Sequence, residues 1–224
     1  MDLKTYKQTF DADDSPGWTA IDEGLRGIYP EVEPDFHFGT IISYALGGPD
    51  PLDGVSVYKR TGSSPHLHYV SYGMSELYYN EEAVGGQVSG WGFEFTFRLK
   101  MSEANMPLSD DGVPIWPINL MQNLGRYVFQ SRQWFEDGHF IPANGPIHAE
   151  ADTAMVALLM VKDPELGSIE TPHGPIDFLQ LVGLTQEEFD LLRHKKSSAK
   201  EMTSALSNGN RLLLTDLDRR QSVL

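Results

Sequence analysis

Two histidines alternate along one short segment of the chain, at His66 and His68. Alternate residues of a β-strand share a face, so both imidazoles could meet one metal ion or act together as acid and base. A third ligand would have to come from His37 or His139, and no spacing marks either of them. The absence of a spaced third ligand favours the other interpretation, a pair of hydrogen-bonded structural histidines.

Carboxylate pairs, which general acid–base catalysis often uses, occur at three places in the sequence. They are Asp50 with Asp53, Asp110 with Asp111, and Glu136 with Asp137. Because the chain holds 32 acidic residues among 224, close pairs are expected by chance. The first pair lies in a turn rich in Gly and Pro, where Asp commonly caps backbone N–H groups. We therefore expect structural roles ahead of catalysis.

Most catalytic signatures are missing from the sequence. It has no G-x-S-x-G, H-E-x-x-H, P-loop or G-x-G-x-x-G motif, and the glycines of residues 85–92 are interpreted as a hairpin connection. It also has no cysteine, which excludes disulfides, thiolate nucleophiles and Cys-based metal sites. We predict no catalytic residue, no bound metal and no cofactor.

Aromatic and acidic side chains occur close together where the second predicted helix ends and a loop begins. Tyr127 and Phe129 are followed by Trp134, Phe135 and Asp137. Aromatic groups beside charge in a loop are typical of recognition surfaces, where large rigid side chains anchor a partner. We expect Phe129 and Trp134 in the core. For the other three, core packing and partner binding remain open from the residues alone.

The charge of the chain narrows the classes of partner. The formal net charge is -15, and such an acidic surface repels phosphate backbones, which argues against nucleic acid. It suits a basic protein or peptide partner, although the charge could serve only solubility.

The first residues lack the apolar stretch of a signal peptide, and no apolar run is long enough to cross a bilayer. We expect a cytoplasmic protein without a membrane partner, and the oligomeric state stays open.

Hydrophobic periodicity and turn residues predict an α+β fold, a single mixed domain over residues 1–224 with a central, mostly antiparallel sheet flanked by helices. Helices are predicted over residues 16–28, 116–130 and 185–193, the last with a capping box. Strands are predicted over residues 41–46, 55–59, 67–72, 92–100, 154–161, 176–182 and 211–217. Residues 101–114 are predicted to form a loop, and residues 195–210, rich in Ser, Lys and Asn, a mobile stretch.

The strand at residues 92–100 has the clearest pattern, because apolar and polar side chains alternate strictly along it. Phe93, Phe95, Phe97 and Leu99 are predicted to face the core. Glu94, Thr96, Arg98 and Lys100 are predicted to be exposed or to face a partner.

Four long blocks of the chain resemble the Suppressor of fused family. They are YALGGPDPLDGVSVY (44–58), HLHYVSYGMSELY (66–78), SGWGFEFTFRL (89–99) and the stretch 116–131 that ends in RYVFQS. Weaker similarity continues at residues 163–164, 171–172, 178–180 and 214–216. The resemblance implies a mixed α/β domain without known catalysis, in which His66, His68 and the Gly-Gly-Pro-Asp-Pro block define the fold.

The resemblance also implies a binding function. The animal protein restrains Gli-type transcription factors and clamps a short Gli peptide between two domains, largely by adding it as a β-strand. This chain is similar to the first of those domains. Stand-alone members are mostly bacterial, and some are regarded as immunity proteins that block polymorphic toxins. The peptide-contacting tyrosine, phenylalanine and aspartate of the family correspond to Tyr127, Phe135 and Asp137.

Residues and resemblance together predict a non-enzymatic protein-binding domain. Its groove near Tyr127 would grip an extended, basic partner segment, and an immunity function against a basic toxin is the leading hypothesis. The alternative is a metal-dependent or acid–base hydrolase that uses His66, His68 and nearby carboxylates.

Overall fold

The computed structural model of the protein describes residues 1–30, 33–101 and 112–224, and these contain eight strands and five α-helices. The strands are β1 (Phe36–Gly39), β2 (Gly54–Arg60), β3 (His66–Tyr72), β4 (Phe93–Lys100), β5 (Phe140–Pro142), β6 (Met155–Lys162), β7 (Ser168–Thr171) and β8 (Gly174–Thr185). The helices are α1 (Leu3–Thr9), α2 (Pro16–Arg26), α3 (Trp116–Ser131), α4 (Gln186–Arg193) and α5 (Ala199–Ser207).

All eight strands belong to one sheet, in the order β1-β2-β3-β4-β8-β6-β5, with β7 paired to β8 beside this path. The pair β4–β8 is parallel, and the other pairs are antiparallel. The predicted α+β class, with a mostly antiparallel sheet flanked by helices, is therefore confirmed. Because β4 and β8 run in parallel, both begin at the same end of the sheet, with Phe93 opposite Asp177.

Side-chain alternation along the strands divides the interior into two layers. On one face, Val57, Tyr69 and Phe95 pack with Met121 of α3. On the other face, Tyr58, Val70 and Tyr72 pack with Ile21 and Leu25 of α2. A third cluster joins β6 and β8 to α4 and α5. The helices α2 and α3 thus cover opposite faces of the sheet, and α4 and α5 together cover its β6–β8 part.

The helix signals read from the sequence hold in the structure. Pro16 and Pro117 lie in the first turns of α2 and α3, where a missing N–H costs nothing. The capping box at the start of α4 is complete, with Thr185 and Glu188 bonding each other's backbone N–H groups. Gly17 lets α2 approach the loop after β3, because a Cβ there would lie 2.0 Å from the carbonyl oxygen of Glu76.

The prediction for the polar face of β4 is wrong for three of its four residues. Glu94, Thr96 and Arg98 are completely buried, and only Lys100 is exposed. The reason is that α2, β7 and the turn after β6 cover this face as well, so the sheet is buried on both sides. Glu94 is satisfied there by the backbone N–H groups of Gly73, Met74 and Ser75. The apolar face of β4 lies in the core as predicted.

Three further element predictions need correction. Residues 41–46 do not form a strand; residues Tyr44–Leu46 form a short 3-10 helix, and the nearby strand is β1. Residues 211–217 contain only a single bridge, between Leu99 and Thr215. The stretch 195–210 contains α5, whose capping box at Ser198 and buried Met202 explain its helical form. The loop predicted over residues 101–114 lies largely outside the described residues, which omit 102–111.

Candidate functional site

The two alternating histidines are buried in β3 and bonded to their surroundings. His66 Nδ1 donates to the carbonyl oxygen of Ser64 at 2.7 Å, and His68 Nδ1 lies 2.8 Å from the hydroxyl of Tyr29. His37, a suggested third ligand, bonds Ser56 instead. In the described ranges no group of three or more His, Asp or Glu side chains is arranged to hold a metal ion.

A buried ionic network surrounds His68. Arg98 pairs with Asp163 and Glu165, and it also donates to Gln180. Burial and, after it, the neighbouring guanidinium of Arg98 lower the pKa of His68 to about 3, so the imidazole is neutral at pH 7. Burial by itself would raise the pKa of Asp163, but hydrogen bonding from His68 and Arg98 and the positive charge of Arg98 hold this pKa far below its ordinary value. The network fixes the α2 face of the sheet from within.

The described members of the carboxylate pairs have surface or structural surroundings. Asp50 forms an ion pair with Arg126 of α3, which ties the Gly/Pro-rich turn to that helix. Asp110 and Asp111 lie outside the described residues. Glu136 and Asp137 are both exposed in the loop that follows α3, so this pair alone lies in the aromatic segment.

The aromatic segment places its residues differently from the sequence expectation. Tyr127 is 45% exposed, and its ring stacks on Phe135 with centroids 5.7 Å apart. Phe135 is only 5% exposed and also contacts Phe95 of β4, so it belongs to the core. Trp134, expected in the core, is 54% exposed, because its indole N–H bonds Glu136 at the surface. The most exposed aromatic ring of the segment is therefore that of Trp134.

An open groove of about 490 Å³ lies beside this segment, and we call it the acidic groove. Its lining consists of Val88, Gly90, Trp91, Gly92, Phe93, Trp134, Phe135, Glu136, Asp137, Asp177 and Leu179. Apolar rings and aliphatic groups form most of the lining, and three carboxylates lie among them. The structure thus brings Phe135 and Asp137 to one groove and places Tyr127 against the buried ring of Phe135.

The ends of three strands position the acidic groove. The parallel pair β4–β8 sets Phe93 beside Asp177, and the carboxylate of Asp177 bonds Lys162 at the end of β6, at 3.0 Å. Asp137 Oδ1 accepts the backbone N–H of the same Lys162 at 2.9 Å. The loop after α3 is therefore fastened to the sheet beside the strand ends.

Arg132, which lies just after α3, contacts Trp91 in the groove lining. Arg132 follows α3 with a φ of 61°, which ends the helix and turns the chain toward β5. Its guanidinium lies over the ring of Trp91, 5.7 Å from the centroid.

The sequence did not predict three residues of the groove lining, Val88, Trp91 and Asp177, because they come from segments far from the aromatic loop. The one available signal was a tryptophan inside a glycine-rich connection.

In the described part of the chain, no helix combines the length and the apolar composition needed to cross a bilayer.

Comparison with known proteins gives consistent matches. The family model for Suppressor of fused protein (SUFU) matches residues 48–220. The Suppressor of fused homolog of Homo sapiens is 35% identical over 218 residues, which is 92% of this chain and 44% of that protein. The chain therefore spans less than half the length of the curated relatives it matches.

Solved structures agree. A chain of the Sufu–Fu complex crystal structure superposes with a TM-score of 0.84 and 34% identity, over 94% of this chain and 93% of that one. A SUFU homologue from Neisseria gonorrhoeae gives a TM-score of 0.58 at 15% identity, over 93% and 97% of the two chains. At that identity the second match indicates a shared fold alone.

Proposed function

The chain belongs to the Suppressor of fused family, and we propose that it is a non-enzymatic protein-binding domain whose acidic groove holds an extended, basic segment of a partner. The Sufu–Fu complex supports protein binding, because nearly the whole matched chain of that complex corresponds to this one. The observation that carries the proposal is the groove itself, where exposed Trp134 and buried Phe135 adjoin the carboxylates of Glu136 and Asp137.

The lining of the acidic groove suits a peptide with alternating apolar and basic residues. Trp91 and Trp134 offer large rigid surfaces, which are enriched among the residues that dominate binding energy. Asp177 is paired with Lys162, whereas Glu136 and Asp137 have no cationic partner among the described residues. A lysine or arginine of the partner would supply the missing positive charge.

The neighbouring strand supports an extended conformation of the partner. The loop that lines the groove continues into β5, which is the last strand of the sheet on that side. An edge strand presents unpaired backbone groups on its outer side, so a peptide leaving the groove could add to the sheet there. Backbone bonds would then supply affinity, and the groove would supply selectivity.

We further propose that the partner is a basic toxin and that the chain acts as an immunity protein. The formal net charge of -15 supports this choice, because opposite charges speed association, and an immunity protein must capture its toxin quickly. The hydrolase alternative is not carried further, because His68 is fully buried and His66 almost so, which leaves a substrate no access to either imidazole.

The proposal can be tested without knowing the partner. Random dodecapeptides displayed on phage are selected on the immobilised chain, and the enriched peptides are measured by fluorescence anisotropy. We expect enrichment of Lys or Arg next to apolar residues. Trp134→Ala should weaken binding by about 1–3 kcal/mol, as the loss of an interface anchor does.

Tyr78→Ala is the matched control, because Tyr78 is 46% exposed, has an aromatic ring like Trp134 and lies away from the groove lining. Equal weakening by both variants, or enriched peptides without positive charge, would contradict the groove proposal.

For the immunity function, a toxin recovered from native lysate should lose its toxicity when the wild-type chain is co-expressed. The Trp134→Ala chain should protect less; protection equal to wild type counts against the groove as the binding site.

A further inference from the structure

A second cavity, of about 330 Å³, lies on the opposite face of the sheet from the acidic groove, and we call it the Trp18 pocket. Its lining includes Trp18, Asp22, Glu33, His37, Ser56 and Tyr58. We propose that the Trp18 pocket binds an organic cation, an ammonium or guanidinium group. This inference is independent of the acidic groove and of the function proposed for it.

Two aromatic walls of the pocket are each supported by another ring. Trp18 stacks on Tyr72, with centroids 4.3 Å apart and planes 19° apart. Tyr58 stacks on Tyr29, with centroids 4.1 Å apart and planes 6° apart. A ring that is stacked on one side cannot easily rotate, so both walls are preorganised. Aromatic faces attract cations through the ring quadrupole, most strongly for tryptophan.

A chain of hydrogen bonds holds the carboxylate of Asp22 in the pocket. Tyr72 donates its hydroxyl to Asp22 Oδ1 at 2.9 Å, and Ser56 donates to the Tyr72 hydroxyl oxygen at 3.4 Å. His37 Nδ1 lies 3.0 Å from Ser56 Oγ and extends this chain of polar groups. Among the described residues no donor reaches the second oxygen of Asp22, which remains available to a ligand.

The electrostatics of the pocket favour a positive ligand. Burial and the charge of Glu33 raise the pKa of Asp22, while Arg26 and the Tyr72 hydrogen bond oppose this effect. Burial, together with the charges of Asp22 and Glu33, raises the pKa of Tyr58 to about 12. Burial lowers the pKa of His37, so its imidazole is neutral at pH 7. The pocket lining thus contains the two carboxylates of Asp22 and Glu33 and one guanidinium, that of Arg26, which leaves an excess of negative charge.

The size of the pocket fits a small group. Its volume is at the lower end of the range for small-molecule sites, which suits a compact cation better than a large ligand. The cation could belong to a free amine or to a basic side chain of a protein. Both sources present the same chemistry, and the experiment separates them.

The test uses nuclear magnetic resonance on the full chain with two probes of similar shape, methylguanidinium and N-methylurea. The indole signal of Trp18 is assigned from a Trp18→Phe spectrum. Methylguanidinium should shift this signal saturably in the ~10 mM range, at constant ionic strength, whereas neutral N-methylurea should not. Both titrations are made on the wild-type chain. Equal shifts with both probes, or no saturable shift, would overturn the proposal.

Variants then locate the interaction. Asp22→Asn keeps an acceptor for Tyr72 but removes the charge, and it should weaken methylguanidinium binding about tenfold. Glu23→Gln is the matched control, because Glu23 is the exposed next residue of α2 and loses the same charge. Arg26→Gln should tighten binding, since it removes the competing cation. If Glu23→Gln weakens binding as much as Asp22→Asn, general surface charge explains the effect and the pocket proposal is wrong.

A final pair of probes identifies the source of the cation. A blocked Gly-Arg-Gly peptide is compared with its citrulline counterpart, which has the same shape without charge. Shifts of the Trp18 signal by the arginine peptide indicate a protein side chain as the natural ligand. Shifts by methylguanidinium alone indicate a free small amine.

Discussion

Acid should destabilise the protein through one buried imidazole, and the chain allows this effect to be isolated. His68 has no exposed surface and lies beside Arg98, so its pKa falls to about 3 in the folded state. The hydroxyl of Tyr29 lies 2.8 Å from its Nδ1, and the carboxylate of Asp163 lies 3.5 Å from its Nε2. A second proton would bring a new positive charge next to the guanidinium.

The sign and size of the effect follow from linkage. The folded pKa of His68 lies below its ordinary value of 6.5, so below pH 6.5 the unfolded chain binds a proton that the folded chain refuses. Stability is therefore lost as the pH falls through this window. Between pH 7.5 and pH 5 the loss from His68 is about 2 kcal/mol. The depressed pKa of Asp163 adds a loss only below about pH 4, so it does not contribute here.

The assay is urea unfolding at pH 7.5 and pH 5, on the wild type and on His68→Gln. We expect the free energy of unfolding to fall between the two pH values by about 2 kcal/mol more in the wild type. All other titrating groups are shared, so their contributions cancel in this difference. His194→Gln, which removes an exposed histidine at the end of α4, should behave like the wild type. Equal acid sensitivity of wild type and His68→Gln would refute the reasoning.

Three further predictions concern packing and binding. Phe135→Ala should lower the free energy of unfolding by about 3–5 kcal/mol, whereas Trp134→Ala should change it by less than about 0.5 kcal/mol, as urea unfolding can measure. Gly17→Ala should cost at least about 2 kcal/mol in the same assay, because its Cβ would collide with a backbone oxygen. Tyr127→Ala should weaken a groove-selected peptide by about 1–3 kcal/mol in anisotropy, and Asp137→Arg should weaken it more by reversing the charge; wild-type affinity in both folded variants would place the site elsewhere.

Local signals in the sequence predicted the elements whose causes are local. The proline starts of α2 and α3, the capping box of α4 and the alternation in β4 each depend on residues within a few positions of one another. The buried polar face of β4 could not be predicted in this way. In the sequence Glu94 and Arg98 look like surface residues, because their partners are distant along the chain. Glu94 bonds the loop after β3, and Arg98 bonds Asp163, 65 positions away.

The candidate site shows the same limit. The family resemblance identified Tyr127, Phe135 and Asp137, and the structure gathers them at one end of the sheet. The sequence could not separate exposed Trp134 from buried Phe135, because neighbouring aromatics in a loop have no periodicity to assign their faces. The opposite wall of the groove depends on the parallel pairing of β4 with β8, which joins segments more than 80 residues apart.

Exposed residues of the groove can be changed with little effect on the fold, whereas the buried Phe135 cannot. Phe135 supports Tyr127 on one side and Phe95 of the core on the other, so it links the groove lining to the interior. Trp134 and Asp137 flank it in the chain but point to the surface, and their loss leaves the core packing in place. If the groove binds a partner as proposed, its selectivity can change through these two positions, while the buried ring of Phe135 between them holds the loop against the sheet.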